Sequence, residues 1–454
     1  MKSILFTLLL VASAQAAQKK WNVVTVVTDD QSQWSVGCYG QSDIQTPHMD
    51  SLAKDGAIFT KAFVNTPVCS PSRATFLTGR HSTELGVTDW LTHPQARKHG
   101  ISKEFTSWPE ILRQNGYTTG LIGKWHLGSS EKSSPKNNGF DYFKGNLAGG
   151  WQPKKTVFID TQGKTEPITG DSVNICTDLA VDFIKENKSK PFSLLVHYRE
   201  PHAPYGPMPD VDEAKTKDLK PAIPGYPNLR GNTTKLMRNY LTAVTAVDRN
   251  LGRILDTLKE QGLDQNTIVI FTSDHGYNVG SHGLRGKGNG HWITKDKNGC
   301  RPNMYETSIT VPLMIRWPGV VAPGTKVDAM TANIDMLPSI TGMLNIASDT
   351  PHHGYDFTPL LKGEKPKKWR TEVFGQYQMI NNAKDSMRMI RTKDWKLIRH
   401  YKVENKDELY DLKNDPGEKT NLINEKKHAE IIRELQTRMD DRMKELKDDP
   451  LSKN

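Results

Sequence analysis

Four short runs, residues 21–28, 117–123, 191–198 and 267–273, are rich in Val, Ile, Leu and Thr and contain no Asp, Glu, Lys or Arg. Runs of that length and composition read as strands buried in a sheet. Stretches with helical character lie between them, at 49–56, 72–79, 108–114, 176–185 and 236–261. The last is amphipathic, with apolar residues at Leu241, Val244, Val247, Leu251, Ile254, Leu255 and Leu258. Strands alternating with helices predict an α/β domain around a large, mostly parallel sheet flanked by helices. A further strand at 311–316 and a helix at 331–344 continue the pattern, and 210–232, rich in Pro, Lys and Gly, reads as a surface insertion. At 454 residues the chain is too long for one small core. After a Lys- and Pro-rich linker near 362–370, strands at 371–376, 386–391, 395–400 and 408–411 and a helix at 426–446 predict a smaller antiparallel C-terminal unit. The division expected is 17–365 and 366–454.

Residues able to do chemistry stand just beyond each buried run. The first ends in Asp29-Asp30, and adjacent carboxylates at the end of a buried strand are costly unless a cation neutralises them. The run at 267–273 ends in Asp274-His275. Together these residues would supply oxygen and imidazole ligands to one divalent ion, and a carboxylate-rich set suits Ca²⁺ or Mg²⁺ better than Zn²⁺. Lys124 and His126 come after the 117–123 strand; in an extended segment residues two apart share a face, which suits an oxyanion site beside a proton carrier. His202 sits between Pro201 and Pro204 on a loop stiffened by proline, and His is the natural proton donor near neutral pH. Cys69-Ser70-Pro71-Ser72-Arg73 places Cys69 on a turn opening a helix, where backbone N–H groups, the helix dipole and Arg73 favour an anion or an electron-rich nucleophile. Lys287 lies in the glycine-rich loop 282–288.

The composition narrows the setting. Lys2, the apolar run 4–12 and Ala14-Gln15-Ala16 read as a secretory leader over 1–16, so export to the periplasm or medium is expected. No later apolar run is long enough to span a bilayer. With only four cysteines, 38, 69, 176 and 300, there is no disulfide framework. The net charge of +10 can steer an anionic polymer towards the surface, but no nucleic-acid-binding signature accompanies it.

Cys69-Ser70-Pro71-Ser72-Arg73-Ala74-Thr75-Phe76-Leu77-Thr78-Gly79-Arg80 resembles the signature of the type I sulfatases, members of the alkaline phosphatase superfamily. Gly123-Lys124-Trp125-His126-Leu127-Gly128 and Glu408 to Glu418 match further patterns of that family, and the likeness covers nearly all of the chain after the leader. It implies an alkaline-phosphatase-like fold and oxidation of Cys69 to formylglycine by a formylglycine-generating or sulfatase-maturing enzyme. It also implies a metal held by Asp29, Asp30, Asp274, His275 and the modified residue 69. Arg73 would orient the nucleophile, Lys124 and Lys287 would bind the sulfate oxygens, His202 would protonate the leaving alcohol, and His126 would take a proton from the second hydroxyl of the hydrated aldehyde. The chain departs from the family pattern after Lys287, where 289–303 intervenes. That insertion reads either as a substrate lid, with Trp292 available to stack on a sugar, or as a surface loop without a role.

Export, basic charge and the aromatic insertion favour a sulfated carbohydrate as substrate, with Trp90, His93 and Arg97 as candidate subsite residues. Two other functions stay open on the sequence: a phosphodiesterase or phosphonate monoester hydrolase of the same superfamily, and a sulfated-glycan binder without activity.

Overall fold

The computed structural model describes residues 20–221 and 229–452; the expected leader at 1–16 lies outside them. A ten-stranded sheet forms the centre. Asn22–Asp29 pairs in parallel with Phe192–Pro201 on one side and Thr267–Ser273 on the other. Thr118–Lys124 pairs in parallel with Phe192–Pro201 and with Tyr142–Asn146. Antiparallel pairs flank this parallel centre on both sides, so the sheet is mixed: Leu313–Arg316 lies against Thr267–Ser273, and Lys155–Asp160 against Tyr142–Asn146, while Thr325–Val327 ends one edge in parallel with Ala57–Phe59.

Side chains alternate across a strand, and the central strands feed two apolar layers. Val23, Val27, Leu195, Ile268 and Ile270 pack with the helices Cys69–Thr78, Trp108–Gln114 and Met336–Met343. Val24, Val26, Leu194, Val196, Val269 and Phe271 pack with Pro47–Asp55, Ser172–Asn187 and Thr233–Glu260. Each fully buried side chain of this kind adds about 1.5–3 kcal/mol of hydrophobic stabilisation. Because the central strands run the same way, Asp29, Lys124, Pro201 and Ser273 all finish at one edge of the sheet. In open α/β sheets that edge is where ligands bind.

The C-terminal part is a four-stranded antiparallel sheet, Glu372–Met379, Asp385–Thr392, Trp395–His400 and Glu408–Asp411, in sequence order. The helix Ala429–Leu446 covers it through Leu435 and Met439. No helix among the described residues is long and apolar enough to cross a membrane.

Three local expectations change. The helix expected over 331–344 is confined to Met336–Met343. Thr331–Ala332 pairs instead with Ala62–Phe63, and the Asn333 side chain is engaged by the backbone N–H of Asn65 and donates to the Ser72 carbonyl. Within the supposed insertion at 210–232, Asp210–Thr216 is helical, fastened by the buried Asp212 to Arg249 at 2.7 Å. The stretch 289–303 is an ordered hairpin, Asn289–Trp292 against Cys300–Pro302, in a small antiparallel sheet with Asn278–Val279 and Leu284–Gly286.

Candidate active site

Asp29 is the last residue of its strand, and Asp30 turns the chain through a left-handed conformation at φ 67°. Such a φ is uncommon outside glycine, and a short polar side chain tolerates it best. The turn is pinned from neighbouring segments. Tyr240 donates its hydroxyl to the Asp30 carbonyl at 2.8 Å, and the Gln31 N–H donates to Ser273 Oγ at 3.0 Å. The parallel register of 22–28 with 267–273 then brings Asp274 and His275 alongside.

Cys69 opens the helix Cys69–Thr78, which Gly79 ends at φ 65°. The helix is tied to the strand ends by its own first turn. The Ser72 hydroxyl donates to the Asp274 carbonyl, and Arg73 Nε meets Asp274 Oδ2 at 2.9 Å. Around the Cys69 sulfur lie Lys287 Nζ at 3.0 Å, His275 Nε2 at 3.4 Å and Asp29 Oδ1 at 3.6 Å. Lys124 reaches Asp29 Oδ2, and Lys287 Nζ reaches Asp30 Oδ1 at 2.7 Å. Thus Asp29, Asp30, Cys69, Arg73, Lys124, Asp274, His275 and Lys287, gathered from five separate stretches of sequence, converge at one buried place.

Electrostatics set the state of these groups. Burial resists ionisation of Asp29, yet Lys124, His202 and Lys287 hold its carboxyl below the usual range. Burial, with Asp29 adding to it, pushes Asp30 up to about 7 against the pull of Lys287. Burial likewise opposes a thiolate at Cys69, but Lys124, Lys287 and His275 bring the thiol well below its ordinary value. Burial lowers His126. It takes His202 down to about 3 against the attraction of Asp29, with Lys287 and Lys124 adding to the fall.

Above the cluster opens a cavity of about 550 Å³, lined by Cys69, His126, His202 and Lys287 and walled by Trp90–Thr92, Leu147–Gly150, Asn289 and Asn382. His126 also has a left-handed backbone, φ 57°, and its Nε2 lies 3.0 Å from the Leu91 carbonyl. His202 Nδ1 sits 2.6 Å from the Ala203 carbonyl. Gly149 passes so close to His126 that a Cβ there would lie 2.4 Å from Cε1. Lys124 is fully buried beneath the cavity and does not line it.

Of the subsite candidates, Trp90 and His93 line the cavity and Arg97 does not. Trp292 also lies elsewhere, on a second hollow beside Tyr305 and Tyr410, with Lys297 Nζ 4.4 Å over its ring. The hairpin reaches the cavity through Asn289 instead. Sequence reasoning misses His197, because a His inside a buried strand reads as packing. Its Nδ1 lies 2.9 Å from Arg73 Nη1 and 3.0 Å from the Lys124 carbonyl, so it accepts from the first or donates to the second according to its tautomer.

The family model for sulfatases matches residues 21–346. The chain belongs to the sulfatase family. Among sulfatases it falls with the formylglycine-dependent enzymes of the alkaline phosphatase superfamily, and it is a sulfuric ester hydrolase. A second model, for the C-terminal part of N-sulphoglucosamine sulphohydrolase, matches residues 296–445. An N-acetylglucosamine-6-O-sulfatase of Bacteroides thetaiotaomicron is 28% identical over 95% of this chain and 87% of its own length. An ulvan-active sulfatase of Formosa agariphila is 29% identical over 95% and 82%. A structure solved in complex with its substrate, D-glucosamine-2-N,6-O-disulfate, superposes with a TM-score of 0.84 at 26% identity, covering 96% of this chain and all of that one.

Sulfatases of this type imply a metal ion, and the donors here fit one. Ligand atoms of Asp29, Cys69, Asp274 and His275 lie within 4.8 Å of one another, and those of Asp29, Asp30 and His202 form an overlapping group. A set dominated by carboxylate oxygens matches a hard divalent cation.

Proposed function

We propose that this sulfatase removes sulfate from a carbohydrate, with residue 69 as a formylglycine nucleophile and Ca²⁺, or Mg²⁺ in its place, held by Asp29, Asp30, Asp274, His275 and residue 69. The observation that carries this reading is the meeting of Cys69 with Lys287, His275 and Asp29 at the floor of an open cavity. The carbohydrate assignment is supported by the relatives, whose names include an N-acetylglucosamine-6-O-sulfatase and an ulvan-active sulfatase.

When present, the hydrated aldehyde supplies an oxygen nucleophile, and the cation supplies positive charge to the nucleophile and to the group being transferred. The protein's own residues do the rest. Arg73 is fixed through Nε and Nη1, while its buried Nη2, 3.9 Å from Asp29 Oδ2, has no hydrogen-bond partner among the described residues and keeps its donors for the nucleophile. Lys287, which lines the cavity, balances charge on the sulfate oxygens, and Lys124 adds its charge from beneath through Asp29, a preorganised electrostatic role. The His202 ring donates from Nδ1 to the Ala203 carbonyl, which leaves Nε2 to carry a proton to the leaving alcohol. In the resting site this ring is neutral, since its value is brought to about 3; an anionic ester beside it favours the protonated form. His126 donates from Nε2 to the Leu91 carbonyl. Its Nδ1, buried and without a partner among the described residues, is the atom that takes a proton from the nucleophile.

Cys69 is only 3% exposed, so a maturing enzyme has to reach it before the fold closes. The N-terminal sequence supports export of the mature protein. The decisive experiment pairs mass analysis of the peptide carrying residue 69 with the substitution Cys69→Ala. Conversion of the Cys69 –CH₂SH group to –CHO, with loss of the sulfur, is expected in the wild-type peptide. Cys69→Ala is expected to fold and lose all sulfate release from p-nitrophenyl sulfate; full activity in that variant rejects the mechanism.

A further inference from the structure

One wall of the cavity is made by a part of the chain that carries no reacting group. The turn between the strands Glu372–Met379 and Asp385–Thr392 belongs to the C-terminal sheet, yet it brings Asn382 to the cavity rim. Its tip is poorly anchored by packing: Ile380 is 43% exposed. What holds its backbone N–H groups is a single buried carboxylate. Asp89 is 3% exposed and pairs with no cation among the described residues. Its Oδ2 accepts the backbone N–H groups of Ile380 at 2.9 Å and Asn381 at 3.0 Å. Its Oδ1 accepts the Tyr377 hydroxyl at 2.9 Å and the Trp90 N–H at 2.8 Å. Burial pushes the Asp89 carboxyl up, and these four donors act against that shift in place of a counter-ion.

The bonds on either side of Asp89 show what the carboxylate joins. Asn381 Nδ2 donates to the Trp90 carbonyl at 2.8 Å, and Gln95 Nε2 donates to Asn381 Oδ1 at 3.2 Å. The strap 89–92 is held separately to the reacting centre. The Leu91 N–H donates to Ser70 Oγ at 3.1 Å, and the Leu91 carbonyl faces His126. Loss of Asp89 therefore removes both backbone anchors of the C-terminal turn and leaves it only the Asn381 side-chain bonds, while the strap keeps its own attachments.

We infer that Asp89 is a positioning residue that clamps the C-terminal turn over the cavity, and that Asn382, so placed, is a specificity-determining contact to the sugar bearing the sulfate. This rests on the carbohydrate reading above. A small aryl sulfate fills only the floor of the cavity and does not need the rim; a sulfated sugar does. Interactions that touch only the non-reacting part of a substrate appear chiefly in KM.

The test uses the mature, metal-loaded enzyme with p-nitrophenyl sulfate and N-acetylglucosamine 6-O-sulfate, together with amide hydrogen exchange of the 377–382 segment. Asp89→Ala is expected to raise KM for the sugar about tenfold, the loss of one or two polar contacts, to leave kcat/KM for the aryl ester within about twofold, and to speed exchange at Ile380 and Asn381. Asp89→Asn should recover part of the affinity, because its amide oxygen can still face the two N–H groups of the turn and its NH₂ can donate to the Tyr377 oxygen, although the NH₂ then opposes the Trp90 N–H. Asn382→Ala, at an exposed position that does not threaten folding, should raise KM for the sugar without changing exchange. Equal losses on both substrates in Asp89→Ala, or an unchanged sugar KM in Asn382→Ala, overturn the inference. If the wild type cleaves the aryl ester but not the sugar, it is the carbohydrate reading that fails for that sugar. The clamp is then judged by exchange alone, and unaltered exchange in Asp89→Ala overturns it.

Discussion

Two clusters of buried charge lie on either side of the 287–306 stretch, and they are built differently. At the seam with the C-terminal sheet, every charged group is answered. Glu306 meets Arg391 Nη2 at 2.9 Å and Lys396 Nζ at 2.7 Å, and Lys396 also meets Glu418 at 2.7 Å and the Met304 carbonyl at 3.0 Å. Arg301, Glu408, His400 and Asp385 form a second chain, linked at 2.8, 3.1 and 2.6 Å. At the active site the same residue types leave capacity unspent: Arg73 Nη2, His126 Nδ1 and His197 Nε2 are buried with no hydrogen-bond partner among the described residues. Buried charge alone does not distinguish a functional centre from a structural joint here. Between these two clusters, unused donors and acceptors on the charged and imidazole groups do.

The contrast predicts opposite responses to substitution. Asp30→Asn should cut kcat/KM at least about 10³-fold, the loss of several kcal/mol of charge stabilisation. The metal-free thermal midpoint should fall only a little, because Lys287, losing Asp30, keeps the Cys69 sulfur at 3.0 Å and the charges of Asp29 and Asp274. Added Ca²⁺ should raise the midpoint of the wild type and not of the variant; a metal-free loss as large as that of Lys396→Met would make the two clusters alike. Lys396→Met should do the reverse, lowering stability by about 3–5 kcal/mol through the acids it strands, with kcat of the folded fraction unchanged. Denaturant unfolding and active-site titration separate the two effects.

The seam also carries a pH signature. Burial opposes ionisation of Glu408, yet its hydrogen bond from His400 and the charge of Arg301 hold it down to about 2, from an ordinary value of 4.5. A carboxyl depressed in the folded state stabilises the fold above its unfolded value and loses that contribution as the pH falls through the interval from 4.5 to about 2. The contribution is about 3 kcal/mol. Glu408→Gln should be less stable at neutral pH and lose less stability over that acid range; parallel stability curves for variant and wild type would remove Glu408 from the account. The smallest expected effect is at Gly149. Its alanine Cβ would meet His126 Cε1 at 2.4 Å, and moving that ring should slow turnover about tenfold while thermal stability changes little. An unchanged rate would show that the loop, not the ring, gives way.

Much of this centre is legible in the sequence because parallel strands convert sequence order into spatial order. Each apolar run announces a strand, and the polar residues just beyond it, Asp29-Asp30, Lys124 and Asp274-His275, have to arrive at one edge. The Cys69 motif announces its own helix start. The remainder depends on contacts between distant stretches. Nothing in Asp89 or Asn382 alone tells that residues 291 to 292 positions apart, Asp89 to Ile380 and Asn381, are bonded. Trp292 is placed by the alternation of its hairpin, which turns its ring towards Tyr305 and away from the cavity. The Gly149-Gly150 pair is a usable sign of close backbone approach to a neighbour, although a glycine pair in a polar loop also reads as an ordinary turn.

The rim and the floor of the cavity come from different sources. The floor is dictated by the strand ends, whereas the rim is assembled from the 90–92 strap, the 147–150 loop and the 382 turn. Such a division lets lineages exchange rims through insertion and drift while the reaction machinery is inherited intact, so a diversity of sugars can be served by a single, unchanging way of releasing sulfate.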